Sequence, residues 1–313
     1  MKKILITGAA GGLANTVVHR LAKKYELIGV DPRPISRGHE FPGTFYEIDY
    51  RKRKMADVFR MHQFHALLHL GRVPVTADVR DSARFNLNVL GTRSLLDLSL
   101  KYSIKNIIVV STFHVYGAHQ HNHLYITEDD PLRASQTFPE LSDAVELDNV
   151  STAFLLRHRD LRTIILRPVN IVGPKINNTI SKILRGKRCP FLLGYDPLQQ
   201  FVHEDDLAQA FELSLESDKG GVYNVAGEGV IPFSHAIRLA GGTPLPIPHF
   251  LGYPAVGLLQ HLGLKFPKHL LDYFRFPTVI SDEQFRKDFR YQPLVSTVDA
   301  LHSIRMQPDG IGN

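Results

Sequence analysis

The sequence predicts an α/β fold, a doubly wound parallel sheet with a smaller C-terminal lobe, and three observations carry that expectation. Short aliphatic runs alternate with helical patterns through the first half of the chain. Several of these runs are apolar without alternation, as in parallel strands covered on both faces. A glycine-rich turn separates the first run from the first helical pattern. Strand–helix alternation implies right-handed crossovers, with helices on both sides of one sheet.

In chain order, Lys3–Thr7, Glu26–Val30, Ala66–His69, Ile107–Ser111 and Thr163–Arg167 read as strands. Ile107-Ile108-Val109-Val110 and Ile164-Ile165-Leu166 are the clearest of the doubly covered runs. Leu13–Lys24 and Ala83–Tyr102 read as helices, the second with an apolar stripe of Phe85, Val89, Leu95, Leu96 and Leu98. After Pro168 proline and glycine become frequent, as in Gly241-Gly242-Thr243-Pro244-Leu245-Pro246-Ile247-Pro248, and helices such as Asp205–Leu215 are separated by loops. A cofactor-binding unit is therefore placed at residues 1–167, and a substrate lobe at 168–313.

Bulk composition bounds the function. With 313 residues, 43% hydrophobic and 22% charged, the chain can bury a large core and is not globally disordered. The net charge of +6 comes from 37 basic and 31 acidic residues spread along the sequence. The one dense basic run, Arg51-Lys52-Arg53-Lys54, reads as a solvated loop or helix start, so no nucleic-acid partner is expected. A single cysteine, Cys189, excludes an internal disulfide and suits a reducing cytoplasm. No apolar stretch approaches the roughly 20 residues of a membrane helix. The opening Met1–Ile6 is interrupted by Thr7-Gly8 and Gly11-Gly12, and reads as a strand rather than a leader. The expectation is a cytoplasmic protein without a membrane partner.

The turn Thr7-Gly8-Ala9-Ala10-Gly11-Gly12-Leu13-Ala14 carries the first chemistry. Gly8 permits a tight turn, Gly11 lets the backbone approach a pyrophosphate, and Ala14 lets the helix pack closely on the sheet. The helix start at Gly12 and Leu13 offers N–H groups and a positive dipole end to the phosphates. Asp31 ends the second strand about 20 residues on, where a carboxylate accepts ribose hydroxyls and repels a 2′-phosphate. This is a Rossmann-type pattern that favours NAD over NADP, although Arg33 works against that preference.

The sequence resembles the extended short-chain dehydrogenase/reductases, the NAD-dependent epimerase/dehydratase family of nucleotide-sugar enzymes. The matching pieces are Thr7–Ala14, Asp49-Tyr50, His69-Leu70-Gly71, Asn88-Val89-Leu90-Gly91-Thr92 and Ser111-Thr112-Phe113-His114-Val115-Tyr116-Gly117. They continue with Leu166–Asn170, Val172-Gly173-Pro174 and Phe201–Leu207. The resemblance implies adenine contacts at Asp49 and Tyr50, cofactor-facing backbone at Leu70 and Gly71, and nicotinamide contacts near Pro168 and Val169. Asn88 and Ser111 join the candidate cofactor contacts. A dimer through Ala83–Tyr102 and Ser142–Arg157 is implied as well.

The catalytic pattern of that family then breaks. Its enzymes use a Tyr-x-x-x-Lys pair, whose lysine brings a phenol from ~10 towards ~7, about 4 kcal/mol of work. Counting back from Arg167-Pro168 places the pair on Leu141 and Val145, and no lysine lies between Lys105 and Lys175. The match at Tyr50 and Lys54 lies on the adenine side and is coincidental. The family's substrate-orienting hydroxyl remains as Thr112. Glu146, on the helix that should carry the lysine, is the candidate replacement base, against the plainer reading of a solvent-facing acidic helix surface. Tyr116 is expected to pack rather than donate.

Other polar groups weigh less. Gln199 replaces the arginine that grips a substrate diphosphate in the family, with Arg185, Lys187 and Arg188 upstream as substitutes or as solvated surface. His119, His121 and His123 alternate before Glu128, Asp129 and Asp130, yet read as a polar lid, and no metal is expected. His203 and Asp206 are expected to cap and anchor the following helix. Two functions remain open: an NAD-dependent enzyme acting on a nucleotide sugar or related alcohol or ketone, or a non-catalytic NAD-binding redox sensor or interaction protein.

Overall fold

The computed structural model describes residues 1–36, 40–75, 77, 79–248 and 269–306; the remaining stretches of the 168–313 lobe lie outside the described residues. The central layer is a seven-stranded, wholly parallel sheet. Its strands are β1 (Lys2–Thr7), β2 (Tyr25–Asp31), β3 (Gly43–Glu47), β4 (Ala66–His69), β5 (Asn106–Val110) and β6 (Arg162–Pro168), completed by Gly221–Val225. The spatial order runs from Gly221–Val225 through β6, β5, β4, β1 and β2 to β3. The order reverses between β1 and β4, and the carboxyl ends of those two strands open the crevice where such sheets bind ligands.

Period-two alternation splits the strand residues between two cores. Ile4, Ile6, Leu68, Ile108 and Ile164 pack with Val17 and Leu21 of α1 (Gly12–Leu21) and with Phe211. Leu5, Ile28, Leu67, Ile107 and Ile165 pack on the other face with Val58 and Phe59 of α2 (Lys54–Met61), Leu95 and Phe154. The basic run thus leads into α2, with Arg51, Lys52, Arg53 and Lys54 exposed.

The long helix expected over Ala83–Tyr102 is built as α3 (Asp81–Phe85), a π-helical turn at Asn86–Leu90, and α4 (Gly91–Lys101). Tyr50 explains part of this break. Its phenol donates to the carbonyls of Leu87 (3.1 Å) and Gly71 (3.2 Å), and a Cβ on Gly91 would stand 2.3 Å from its ring. The short α5 (Ala134–Thr137) precedes α6 (Ser142–Arg157), which returns the chain to β6.

Beyond β6 the chain builds small parallel and antiparallel pairs. β7 (Asn170–Val172) leads to α7 (Thr179–Leu184), then β8 (Arg188–Leu193), β9 (Leu198–Gln199) and β10 (Phe201–His203). α8 (Glu204–Glu216) packs on α1, and β11 (Gly221–Val225) returns to the main sheet beside β6. The cofactor layer therefore takes chain from beyond residue 167. β12 (Ile231–Pro232) pairs with β9, α9 (Phe233–Leu239) follows, and β13 (Thr243–Pro248) pairs in parallel with β8.

β13 corrects the loop expected at Gly241–Pro248. Its prolines fall on alternate positions 244, 246 and 248, so their missing N–H groups share one edge and leave the other to pair. Among the described residues, no helix is long and apolar enough to cross a membrane.

Candidate functional site

The glycine turn sits at the carboxyl end of β1. Gly8 has φ +75°, and a Cβ there would stand 2.6 Å from the backbone of Gly71, so the turn closes directly on the end of β4. A Cβ on Gly12 would stand 2.6 Å from the Lys175 carbonyl. α1 starts with no side-chain cap and no acidic residue in its first turn. Its dipole end and the N–H groups of Gly12 and Leu13 thus remain suited to an anion, and the cradle fits a dinucleotide diphosphate.

Asp31 ends β2 with a carboxylate 1% exposed. It accepts the Ala10 N–H (3.2 Å) and the Arg33 N–H (2.9 Å). Arg33 also closes a fork on it, Nε to Oδ1 and a terminal nitrogen to Oδ2, both 3.0 Å. The group expected to take ribose hydroxyls is therefore already held by an arginine whose own side chain is 67% exposed. Asp49 is held in the same way by Arg51, which keeps its carboxyl below the usual range.

Several residues expected to touch cofactor also hold the walls. Tyr50 is buried behind Gly71. Asn88 clamps the backbone of Val73, accepting its N–H at 2.8 Å and donating to its carbonyl at 2.9 Å. Asn88 also donates to Asp143, whose carboxylate receives Arg84 Nε at 3.2 Å. These bonds stiffen the segment after Leu70-Gly71. Behind it, Thr7, His69 and Thr92 form a buried chain.

At the end of β5, Ser111 donates to Asp148 at 2.6 Å. Asp148 is fully buried and receives Arg167 Nε at 2.9 Å and a terminal Arg167 nitrogen at 2.7 Å. Burial alone would lower the pKa of Arg167, but the hydrogen bonds and charge of Asp148 outweigh it and hold the guanidinium above its ordinary range. Tyr116 packs under Arg167 and donates to Asn224 Oδ1 at 2.8 Å. Burial pushes its phenol up to about 12, which removes it as a base near neutral pH.

Thr112 opens a short 3₁₀ turn, Phe113–Tyr116. Its Oγ1 lies 2.9 Å from His114 Nδ1 and accepts the His114 N–H at 3.4 Å. Sequence reasoning passed over His114; its two-residue spacing from Thr112 across a tight turn was the available signal. Leu141 and Val145, where the resemblance places the tyrosine and lysine, are buried among the core residues. Glu146 is not brought to Thr112. It shares the outer stripe of α6 with Ser142 and Asn149, because the buried stripe is taken by Asp143, Ala144, Val145, Leu147 and Asp148. Among the described residues its side chain makes no hydrogen bond or ion pair. Pro168 and Val169 are buried at the end of β6, with the Val169 N–H donating to Val225.

The second lobe closes over this edge. Gln199 is a buried strut, accepting from Asn170 (3.2 Å) and donating to the Tyr273 carbonyl (3.0 Å). Tyr273 in turn donates to the His114 carbonyl at 2.7 Å. Arg185 is spent on the carbonyls of Gly173, Pro174, Ile176 and Ile304, while Lys187 and Arg188 are exposed. His203 caps α8 by accepting the Asp205 N–H at 3.3 Å. Asp206 anchors the Leu294 and Val295 amides instead. His123 pairs with Asp130 at the surface, and no metal-binding group occurs among the described residues.

The profile of the NAD dependent epimerase/dehydratase family matches residues 4–226. An uncharacterized Mycobacterium tuberculosis protein is 30% identical over 312 residues, covering 96% of this chain and 82% of its own length. The UDP-glucose 4-epimerase of Bacillus subtilis is 27% identical over 286 residues, covering 78% of this chain and 83% of its own. Among solved structures, a Thermotoga maritima UDP-glucose 4-epimerase with UDP-glucose has a TM-score of 0.78 at 20% identity, over 96% of this chain and 97% of that one. A Bacillus anthracis dTDP-glucose 4,6-dehydratase in complex with NAD has a TM-score of 0.75 at 20% identity, over 97% and 96%. The glycine turn, the switch point beside it and a profile match over most of the sequence lead to one assignment: the chain belongs to the NAD-dependent epimerase/dehydratase family, within the extended short-chain dehydrogenase/reductases.

Proposed function

We propose that the chain binds NAD on the Gly8–Leu13 turn and acts on a nucleotide sugar, with Thr112 orienting the reacting oxygen. The observation that carries this reading is the Gly8 turn closed against Gly71 before the uncapped start of α1, with Asp31 at the end of the adjacent strand. When bound, NAD supplies an acceptor and donor of hydride. Gly11, Gly12 and Leu13 bind its diphosphate through backbone N–H groups, and Asp31 takes the adenosine ribose. Pro168 and Val169 form the apolar floor at the far end. The names of similar proteins, among them UDP-glucose 4-epimerase, support a nucleotide sugar as substrate class.

Arg33 is the specificity control of this site. A ribose hydroxyl must displace its fork from Asp31, whereas a 2′-phosphate would attract the same guanidinium. Arg33→Ala is expected to widen the preference for NADH over NADPH by about tenfold, roughly 1.4 kcal/mol in differential binding. Calorimetric titration of both nucleotides checks it; an unchanged ratio contradicts it.

Turnover is expected to be slow with UDP-glucose and dTDP-glucose and to fall about 10²-fold in Thr112→Val, while Glu146→Gln leaves it unchanged. Steady-state assays of the three proteins test this. Loss of activity in Glu146→Gln would return the base to that carboxylate. The burial of Leu141 and Val145 favours the second reading, a non-catalytic NAD-binding sensor, and absence of any turnover across a sugar-nucleotide panel would select it. A dimer through α3, α4 and α6 is proposed as well, on the exposed Phe85, Leu90, Leu100 and Leu156. Light scattering that returned a monomer mass at micromolar concentration would exclude it.

A further inference from the structure

We propose that His114 is the proton acceptor of this site, working through the Thr112 hydroxyl. The inference rests on the reading of the site as a nucleotide-sugar oxidoreductase and assigns the proton that the reading leaves without a destination. Thr112 and His114 stand at the carboxyl end of β5, on the edge of the sheet where the glycine turn also opens. The hydroxyl and the imidazole are in direct contact, Oγ1 to Nδ1 at 2.9 Å. Oγ1 also accepts the His114 amide at 3.4 Å, and its own proton has Nδ1 within hydrogen-bond reach. The proposed step uses the Nε2–H tautomer, the form in which Nδ1 accepts the Thr112 proton.

The ring is held in place. Phe113 packs against it at 4.2 Å between centroids, and Tyr273 meets it edge-on at 4.7 Å. Tyr273 also donates to the His114 carbonyl at 2.7 Å, so the second lobe fixes both the backbone and the ring of the same residue. A base positioned by packing and by a supporting hydrogen bond has the preorganisation that proton transfer requires.

The neighbouring titratable side chains are committed elsewhere. Tyr116 donates to Asn224 and lies beneath Arg167, and its phenol is pushed up to about 12 by burial. Asp148 is paired with Arg167, and Asp143 with Arg84. The Tyr273 hydroxyl is spent on the His114 carbonyl.

The step balances as an alcohol oxidation. Bound NAD would supply the hydride acceptor for the substrate C–H, and the residues of this chain would take the proton. The substrate O–H proton passes to Thr112 Oγ1 as the Thr112 hydroxyl proton passes to His114 Nδ1. The products are a carbonyl and an imidazolium, and the reverse path returns proton and hydride. Thr112 ends as it began.

The test uses the full chain loaded with NAD, UDP-glucose and dTDP-glucose as probes, and the variants His114→Ala and His114→Gln. Both variants are expected to lower kcat about 10²-fold or more while KM stays within about threefold. Imidazole added to His114→Ala is expected to restore part of kcat, which a purely structural role would not allow. Without substrate, the His114 ring resonances should titrate differently in Thr112→Val than in wild type. NADH fluorescence titration verifies that each variant is folded and loaded. Active wild type with kcat retained in both His114 variants overturns the inference and leaves the oxidoreductase reading standing. An unchanged His114 titration in Thr112→Val overturns the inference also. Wild type that binds NADH but turns over neither sugar nucleotide overturns the oxidoreductase reading itself, and the inference with it.

Discussion

Replacing Arg167 by methionine is expected to cost about 3–5 kcal/mol of folding stability, because it strands a buried carboxylate. Asp148 is 0% exposed, and Arg167 supplies its two strong donors; Ser111 (2.6 Å) and Thr152 (3.4 Å) would remain as neutral donors. The same guanidinium also holds the Tyr116 hydroxyl (2.8 Å) and the Glu128 carbonyl (3.2 Å), tying β6 to the segment after β5. Chemical denaturation of Arg167→Met measures the loss. The double variant Arg167→Met/Asp148→Leu should recover a large part of it, since removing both charges ends the penalty of the orphan. A single variant within about 1 kcal/mol of wild type would show that the pair is solvated in practice.

The second large effect is acid destabilisation through His69. Thr92 commits its hydroxyl proton to the Asn88 carbonyl, so it accepts from His69 Nε2–H. Nδ1 then accepts from the Thr7 hydroxyl at 2.6 Å, and the ring is neutral. Full burial pushes its pKa down to about 4. The unfolded chain binds a proton there near pH ~6.5, whereas the folded one resists it, so the stability is complete above ~6.5 and is lost as pH falls towards the folded value. The difference amounts to about 3 kcal/mol between those limits. Denaturation midpoints of wild type and His69→Gln, followed from pH 7 to 4, should converge as the pH falls. Parallel curves would mean that His69 is protonated in the folded protein.

The strands and the glycine turn were legible because parallel strands buried on both faces read as unbroken apolar runs, and Ile107–Val110 and Ile164–Leu166 do. The position of Asp31 was legible for the same reason, as the end of such a run. What hid was set by partners distant in sequence. Arg33 closes on Asp31 through a local fork, but the structural bonds of Asn88 and Ser111 were hidden because Val73, Asp143 and Asp148 lie opposite them only in the fold. Glu146 depended on the rotational phase of α6, which the buried Asp148–Arg167 pair fixes and which a count along the chain leaves free by a residue. β13 was masked by its prolines, whose harmless alternation is visible only beside β8. His114 carries no motif of its own, and its value comes from the contact with Thr112 and the Tyr273 lock from the other lobe.

Calorimetric titration of the wild-type protein with NADH and with NADPH tests the central claim most directly. As proposed, the diphosphate cradle at Gly8–Leu13 would serve both nucleotides, and the carboxylate of Asp31, at the end of β2, would separate them. The account predicts one NADH per chain, bound more tightly than NADPH, with the difference narrowed in Asp31→Ala. Binding of neither nucleotide, or NADPH bound as tightly as NADH, would contradict it.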